Sequence, residues 1–199
     1  ILAAASDLAR MLSDGTAAER AEAALALGRM RDQAAERRMI GMLPSTLGDP
    51  ELSRALVTGL GLMPSAEAVP ALVALLGAVP RDLEVVALWA IGRARTTSVR
   101  EPILARWQDA EGPLRCAYAE ALKHVTNVDD YETMRAAFED EPPVECEAVE
   151  FEGRQYDPEH PLPPVTYVVG EELRLKYLKA AFNIGGPGLE EWLRDVAWA

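Results

Sequence analysis

Ala26-Leu27-Gly28 returns as Gly59-Leu60-Gly61, Ala90-Ile91-Gly92 and Ala121-Leu122-Lys123, at intervals of 33, 31 and 31 residues. A second column, Leu8, Ile40, Leu72, Ile103 and Met134, runs in step at intervals of 32, 32, 31 and 31. Two columns locked to one period define a unit of two helices. A unit this short cannot bury its apolar face alone, so it stacks on its neighbours as a solenoid, an architecture that points toward binding rather than chemistry.

The spacing predicts helices over 2–13, 17–30, 32–43, 50–63, 66–77, 82–94, 98–109, 113–125 and 129–139, then 171–184 and 188–197, alternating as A and B. Breaks fall at Asp14-Gly15, Gly48-Asp49-Pro50, Met63-Pro64-Ser65, Val79-Pro80 and Glu111-Gly112-Pro113, where Gly and Pro punctuate the pattern. Gly28, Gly61 and Gly92 follow the last apolar position of a B helix, where a residue tolerant of positive φ closes a helix. Lys123 breaks that column.

The 199 residues are 49% hydrophobic but only 6% aromatic, which suits an all-α stack whose helices approach through small residues. We read residues 1–199 as a single domain. No run approaches the roughly 18 apolar residues of a membrane span. The chain opens on Ile1 rather than Met, which reads as a processed piece of something longer.

Neither the Thr-Pro-Leu-His of ankyrin repeats nor the Trp, Gly and Tyr pattern of tetratricopeptide repeats is present. Instead, B helices carry an Arg followed by small residues, best shown by Arg20-Ala21-Glu22-Ala23-Ala24-Leu25-Ala26-Leu27-Gly28. The A helices place Pro70 and Pro102 at matching positions, in Val69-Pro70-Ala71-Leu72 and Glu101-Pro102-Ile103-Leu104, where a bend is expected. The pattern resembles the short HEAT-like repeats of the bacterial phycobilisome-lyase type, over about residues 1–139 and the last two helices. That resemblance implies a right-handed α-α superhelix, a HEAT-like solenoid of about five helical hairpins with B helices along the concave face.

The fifth repeat departs from the period. Its A helix should be followed closely by a B helix, but residues 141–170 intervene, and the missing helix appears as Glu171-Glu172-Leu173 through Ala181-Phe182, with Ala181-Phe182 in the place of Ala121-Leu122. Within this Pro-rich insertion Val149 to Tyr156 alternates apolar with polar around Glu152-Gly153, which predicts a small β-hairpin, and Val165 to Val169 reads as a third strand. Pro158 to Pro164 cannot be helical. Between Glu139 and Glu172 stand eleven acidic residues and one basic residue, so most of the net charge of −12 belongs to the insertion. Such a balance disfavours nucleic acid and anionic membrane as partners.

The expected role is a noncatalytic scaffold or adaptor that binds a protein partner through the B-helix face and the inserted segment. The candidate contact residues are Arg54, Thr58, Val85, Trp89, Arg93, Glu120, Phe151 and Tyr156. Arg54, Thr58, Val85, Trp89 and Glu120 come from two B-helix columns read as exposed, Leu25, Thr58, Trp89, Glu120 and Ala21, Arg54, Val85, Cys116; Val85 and Trp89 lie one turn apart as an apolar patch that Arg54 and Arg93 border, and Phe151 and Tyr156 belong to the insertion. Arg29, Arg31, Arg37, Arg38, Arg93, Arg95 and Arg100 gather at turns between helices, where cations offset the helix dipole. Arg20 and Arg115 share a column suited to pairing with carboxylates of adjacent repeats.

Cys116 and Cys146 fit a reducing, cytoplasmic setting as small core thiols; the count allows a disulfide, but nothing in the sequence supports one. The insertion's carboxylates and His160 lack the spacing of a metal loop, and neither His124 nor His160 has a nucleophile at motif distance. No cofactor, metal or catalytic residue is therefore assigned. The alternatives are a chromophore-lyase-like subunit, since similar repeats occur in phycobilin lyases, and a capping or regulatory segment of a larger protein. A HEAT-like DNA glycosylase would want a basic groove. Trp192, Leu193, Val196 and Trp198 on the final helix are expected to cap the last repeat.

Overall fold

Local chemistry starts the helices where the period asks for them. Thr16 accepts from the Glu19 amide while the Glu19 carboxylate takes the Thr16 N–H at 2.8 Å, a capping box that opens α2 (Ala17–Met30). Asp32 and Asp49 accept from the amides of Ala35 and Leu52 and open α3 (Gln33–Thr46) and α4 (Pro50–Leu62). With α1 (Leu2–Asp14) these complete two hairpins. The computed structural model describes residues 2–151 and 163–198. It continues with α5 (Val69–Val73), α6 (Arg81–Ala94), α7 (Arg100–Trp107), α8 (Gly112–Val125), α9 (Tyr131–Asp140), α10 (Leu173–Ile184) and α11 (Leu189–Trp198). The fold is all-α, a HEAT-like solenoid with a small inserted β element. Among the described residues no helix is long and apolar enough to cross a membrane.

Two A helices differ from expectation. The helix expected over 66–77 is α-helical only from Val69 to Val73, flanked by turns, and Pro70 sits in its first turn. Pro102 lies in the first turn of α7, directly after a 3-10 turn over Thr97–Val99. At these positions the missing N–H removes no intrahelical bond, so neither proline bends a helix.

The extensive contacts between repeats run through the B helices, α2 on α4, α4 on α6, α6 on α8 and α8 on α10, while each A helix packs mainly on its own B helix. Here the glycine column has a different role from the one expected. Gly28, Gly61 and Gly92 are buried inside their helices, and the left-handed closing residues are Arg31 (φ 55°) and Arg95 (φ 48°). A Cβ on Gly28 would stand 2.7 Å from the backbone of Gly59, and one on Gly61 would overlap the Trp89 ring. The glycines thus set the spacing of the layer.

Arginines close the hairpins. Near the start of a B helix, Arg20 and Arg174 each donate Nε to a carbonyl late in the preceding A helix, Leu12 at 3.2 Å and Phe138 at 2.9 Å. Arg115 does the same to Trp107 through Nη1, and it also pairs with Glu141 of the next repeat at 2.8 Å. The carboxylate pairing expected for this column is seen at Arg115, whereas Arg20 uses a backbone acceptor.

The insertion is a twisted two-stranded ribbon. β1 (Glu145–Cys146) pairs antiparallel with β4 (Glu171–Glu172), and β2 (Val149–Phe151) with β3 (Val165–Val168). Glu145↔Glu172, Cys146↔Glu171 and Val149↔Val168 keep one frame, and then the register shifts by one residue between Val149 and Glu150. The partner of β2 is therefore the stretch read as a third strand. The turn expected at Glu152-Gly153, with Tyr156, Pro158 and His160, lies outside the described residues. α10 starts two residues later than expected because Glu171 and Glu172 belong to the ribbon, whose base is closed by the Leu173 N–H donating to Val144 O at 2.8 Å.

Cys116 of α8 and Cys146 of β1 form a disulfide, which corrects the reading of two free core thiols. Beyond α10, α11 buries Trp192 edge-on against Tyr131 and Phe138 of α9, with ring centroids 6.2 and 5.4 Å apart, so it caps the last hairpin. The Trp198 side chain lies outside the described residues.

Candidate partner-binding surface

The B-helix columns read as open carry an occupant from within the chain. β3 packs on α6 and α8, and both Tyr167 and Val168 are buried. Strict alternation along a strand allows only one of two successive residues to face the helices, so the bulge is what turns Tyr167 inward as well. Its ring meets Trp89 edge-on at 5.3 Å, and its hydroxyl lies 2.7 Å from the Thr58 hydroxyl on α4. Burial pushes the Tyr167 phenol up to about 12, against the opposing effect of the Thr58 bond.

Several candidate residues are consequently not exposed. Thr58 and Val85 are buried, as are Ala21, Leu25 and Cys116 of the same columns. Trp89 is half-buried, with the Arg93 guanidinium over its ring at 5.3 Å from the centroid. Arg54 is partly exposed and sits 3.8 Å from Asp82. Phe151 packs partly buried at the end of β2. Tyr156 lies outside the described residues. Tyr167 brings Thr58 and Trp89 together, and Arg93 joins them, while Arg54, Glu120 and Phe151 stand around this cluster on neighbouring elements.

Glu120 belongs to a buried ion cluster that nothing in the sequence pattern announced. The Lys176 ammonium is fully buried and reaches Glu120 at 2.6 Å, the Val169 carbonyl at 2.8 Å and Glu171 at 3.3 Å. Lys123, the residue that breaks the glycine column, bridges the same two carboxylates at 2.5 and 3.4 Å, and Lys179 adds to Glu171. Burial on its own would raise both carboxyl groups, but the surrounding ammonium groups outweigh it and hold each below the usual glutamate range. The cluster ties the base of the ribbon to α8 and α10.

What stays open on this side is mostly charged, with Val144 and Val169 exposed among the charges. Glu145, Glu147 and Glu150 project outward from the ribbon. At the C-terminal ends of the B helices, Arg93, Arg95 and His124 are exposed beside a notch of about 120 Å³ bounded by α6, α8 and β3. Burial, then Lys123, with smaller contributions from Arg95 and Arg93, hold the His124 imidazole below its usual pKa; Glu120 opposes them. Among the described residues no group of three or more His, Cys, Asp or Glu side chains is placed to hold a metal.

Residues 5–85 match the family model of HEAT repeats. The match spans the first two hairpins and reaches into α6, and the remaining hairpins repeat the same B-on-B packing. No curated protein matches the chain. HEAT repeats generally mediate protein–protein interactions.

Proposed function

We propose that the chain is a noncatalytic protein-binding module, a scaffold or adaptor, whose receptor surface is the C-terminal edge of the B layer together with the outer face of the ribbon. The observation that carries this reading is the ribbon itself. A long insertion laid across the stacking helices, with Cys146, Tyr167 and Val168 turned in and Glu145, Glu147 and Glu150 turned out, replaces a bare helical groove by a shaped, acidic surface. This moves the expected contact from an apolar patch at Val85 and Trp89 to the charged groups at that edge, Arg93 and Arg95, and to the exposed ribbon glutamates. The likeness to phycobilisome-lyase-type repeats rests on repeat length and the B-helix signature.

The disulfide supports maturation in an oxidising compartment, in place of the cytoplasmic setting expected from two isolated cysteines. Alkylation of the protein isolated from its source, followed by intact mass measurement, should find no free thiol; two free thiols would return it to a reducing compartment. For the binding role, the immobilised full chain is expected to retain a protein that a reversal variant, Arg95→Glu combined with Glu147→Lys, no longer retains. Equal retention by variants with both faces reversed would sink this assignment of the surface.

A further inference from the structure

We propose that the notch between α6, α8 and β3 is a receptor for a carboxylate side chain, an aspartate or glutamate of the protein partner, with Arg93 as its cation. This rests on the protein-binding reading and names the chemistry recognised. At about 120 Å³ the notch holds roughly four water volumes, or one short side chain. Its lining includes Trp89, Tyr167, Gly92 and His124, and a Cβ added at Gly92 would be 3.5 Å from the imidazole.

Arg93 is held ready. Its Nε donates to the Gly61 carbonyl at 2.8 Å, and its central carbon lies over the Trp89 ring, so the guanidinium is fixed before any ligand arrives. No carboxylate among the described residues pairs with it. Glu120 also lines the notch, but its oxygens are engaged by Lys123 and Lys176. With Nε occupied, the two Nη groups present a flat pair of donors, the geometry that a carboxylate accepts bidentately.

The surroundings are positive in a chain of net charge −12. Burial lowers the Arg93 pKa, and the charges of Arg31 and Arg95 lower it further, so three guanidinium groups repel one another at this edge. An incoming carboxylate relieves that repulsion. Glu150, held by Thr166 at the ribbon side of the notch, repels it, so the acidic group enters from the C-terminal ends of α6 and α8, past Arg95 and His124.

The test is a titration of the full chain with acetylated, amidated hexaglutamate, followed by NMR of the Trp89 indole N–H, the Arg93 side chain and the His124 ring. Saturable shifts confined to these groups are expected, weakened about tenfold or more in Arg93→Gln. Because Arg93 also holds the end of α4, His124→Gln and Arg95→Gln serve as variants that leave this bond intact, and each is expected to weaken binding about threefold. Shifts no larger than those from hexaglutamine, or unchanged in all three variants, overturn the proposal. Tighter binding of inorganic phosphate than of hexaglutamate overturns the choice of carboxylate. A partner retained equally by the wild type and these variants removes the notch while leaving the protein-binding role standing; retention of no partner removes that role.

Discussion

Gly28 shows how one residue type serves two purposes that look alike in a sequence. An apolar-Gly pair at the end of a helical period reads as a left-handed stop, but here the missing Cβ lets α2 and α4 meet backbone to backbone, and an arginine three residues on supplies the positive φ. Gly28→Ala should therefore destabilise. The roughly 1 kcal/mol gained in helix propensity is outweighed by overpacking of about 1–3 kcal/mol, since the new methyl must displace the Gly59 backbone rather than a mobile side chain. A lowered urea midpoint is the expected result; a raised midpoint would mean that α2 and α4 do not need the missing Cβ to meet. Phe182 makes a similar point. Expected in the place of the buried Leu122, it is 62% exposed, while Ala180 and Ala181 are buried, so the apolar pair in α10 sits one residue earlier than the pattern suggested.

The elements of the solenoid were legible because their causes are local: the period, the Thr16 and Asp caps and the Gly and Pro breaks all lie within a few residues of what they control. The ribbon was half legible. Alternating residues revealed that strands exist, but pairing depends on which strand is brought back, and β2 takes the later partner. The candidate surface was misread for a related reason. What covers Thr58 is Tyr167, 109 residues away, and no column pattern within the repeats reports an occupant supplied from so far along the chain. The cysteines, 30 residues apart and on different elements, gave no sign of their bond either. Loop-closure entropy puts that bond at about 3.5 kcal/mol, so Cys146→Ser should lower stability by up to this amount. Hydrogen exchange should show the loss first in β1 and β4; protection unchanged there would mean that the lysine cluster alone fixes the ribbon.

Across the whole molecule, acid sensitivity should concentrate where carboxylates are both buried and paired. Asp130, nearly buried and bonded to Arg100 of the preceding repeat, joins Glu120 and Glu171; for all three, burial pushes the pKa up but charged partners, with the Asn127 amide at Asp130, bring it below its ordinary value. A lowered folded-state pKa means stabilisation that is complete above the ordinary carboxylate values of 3.8 and 4.5 and is lost as pH falls through the folded values. Urea midpoints should thus hold near pH 7 and drop below about pH 4.5. Lys176→Met should cost about 3 kcal/mol at neutral pH and flatten the acid limb, because Glu120 then loses a partner. An acid limb as steep in this variant as in the wild type would place the sensitivity elsewhere.

The ribbon also bears on the order of assembly. Each of the first four hairpins closes across a turn of a few residues, whereas α9 and α10 meet only after the stretch from Glu141 to Glu172 has looped back. Loop closure of that length is slow relative to local helix pairing. During synthesis the four N-terminal hairpins are free to form first, and α8 waits with Cys116 uncovered until Cys146 emerges and arrives beside it. The fifth hairpin then locks after the four before it, and the bond between these sulfurs records the return of the ribbon to α8.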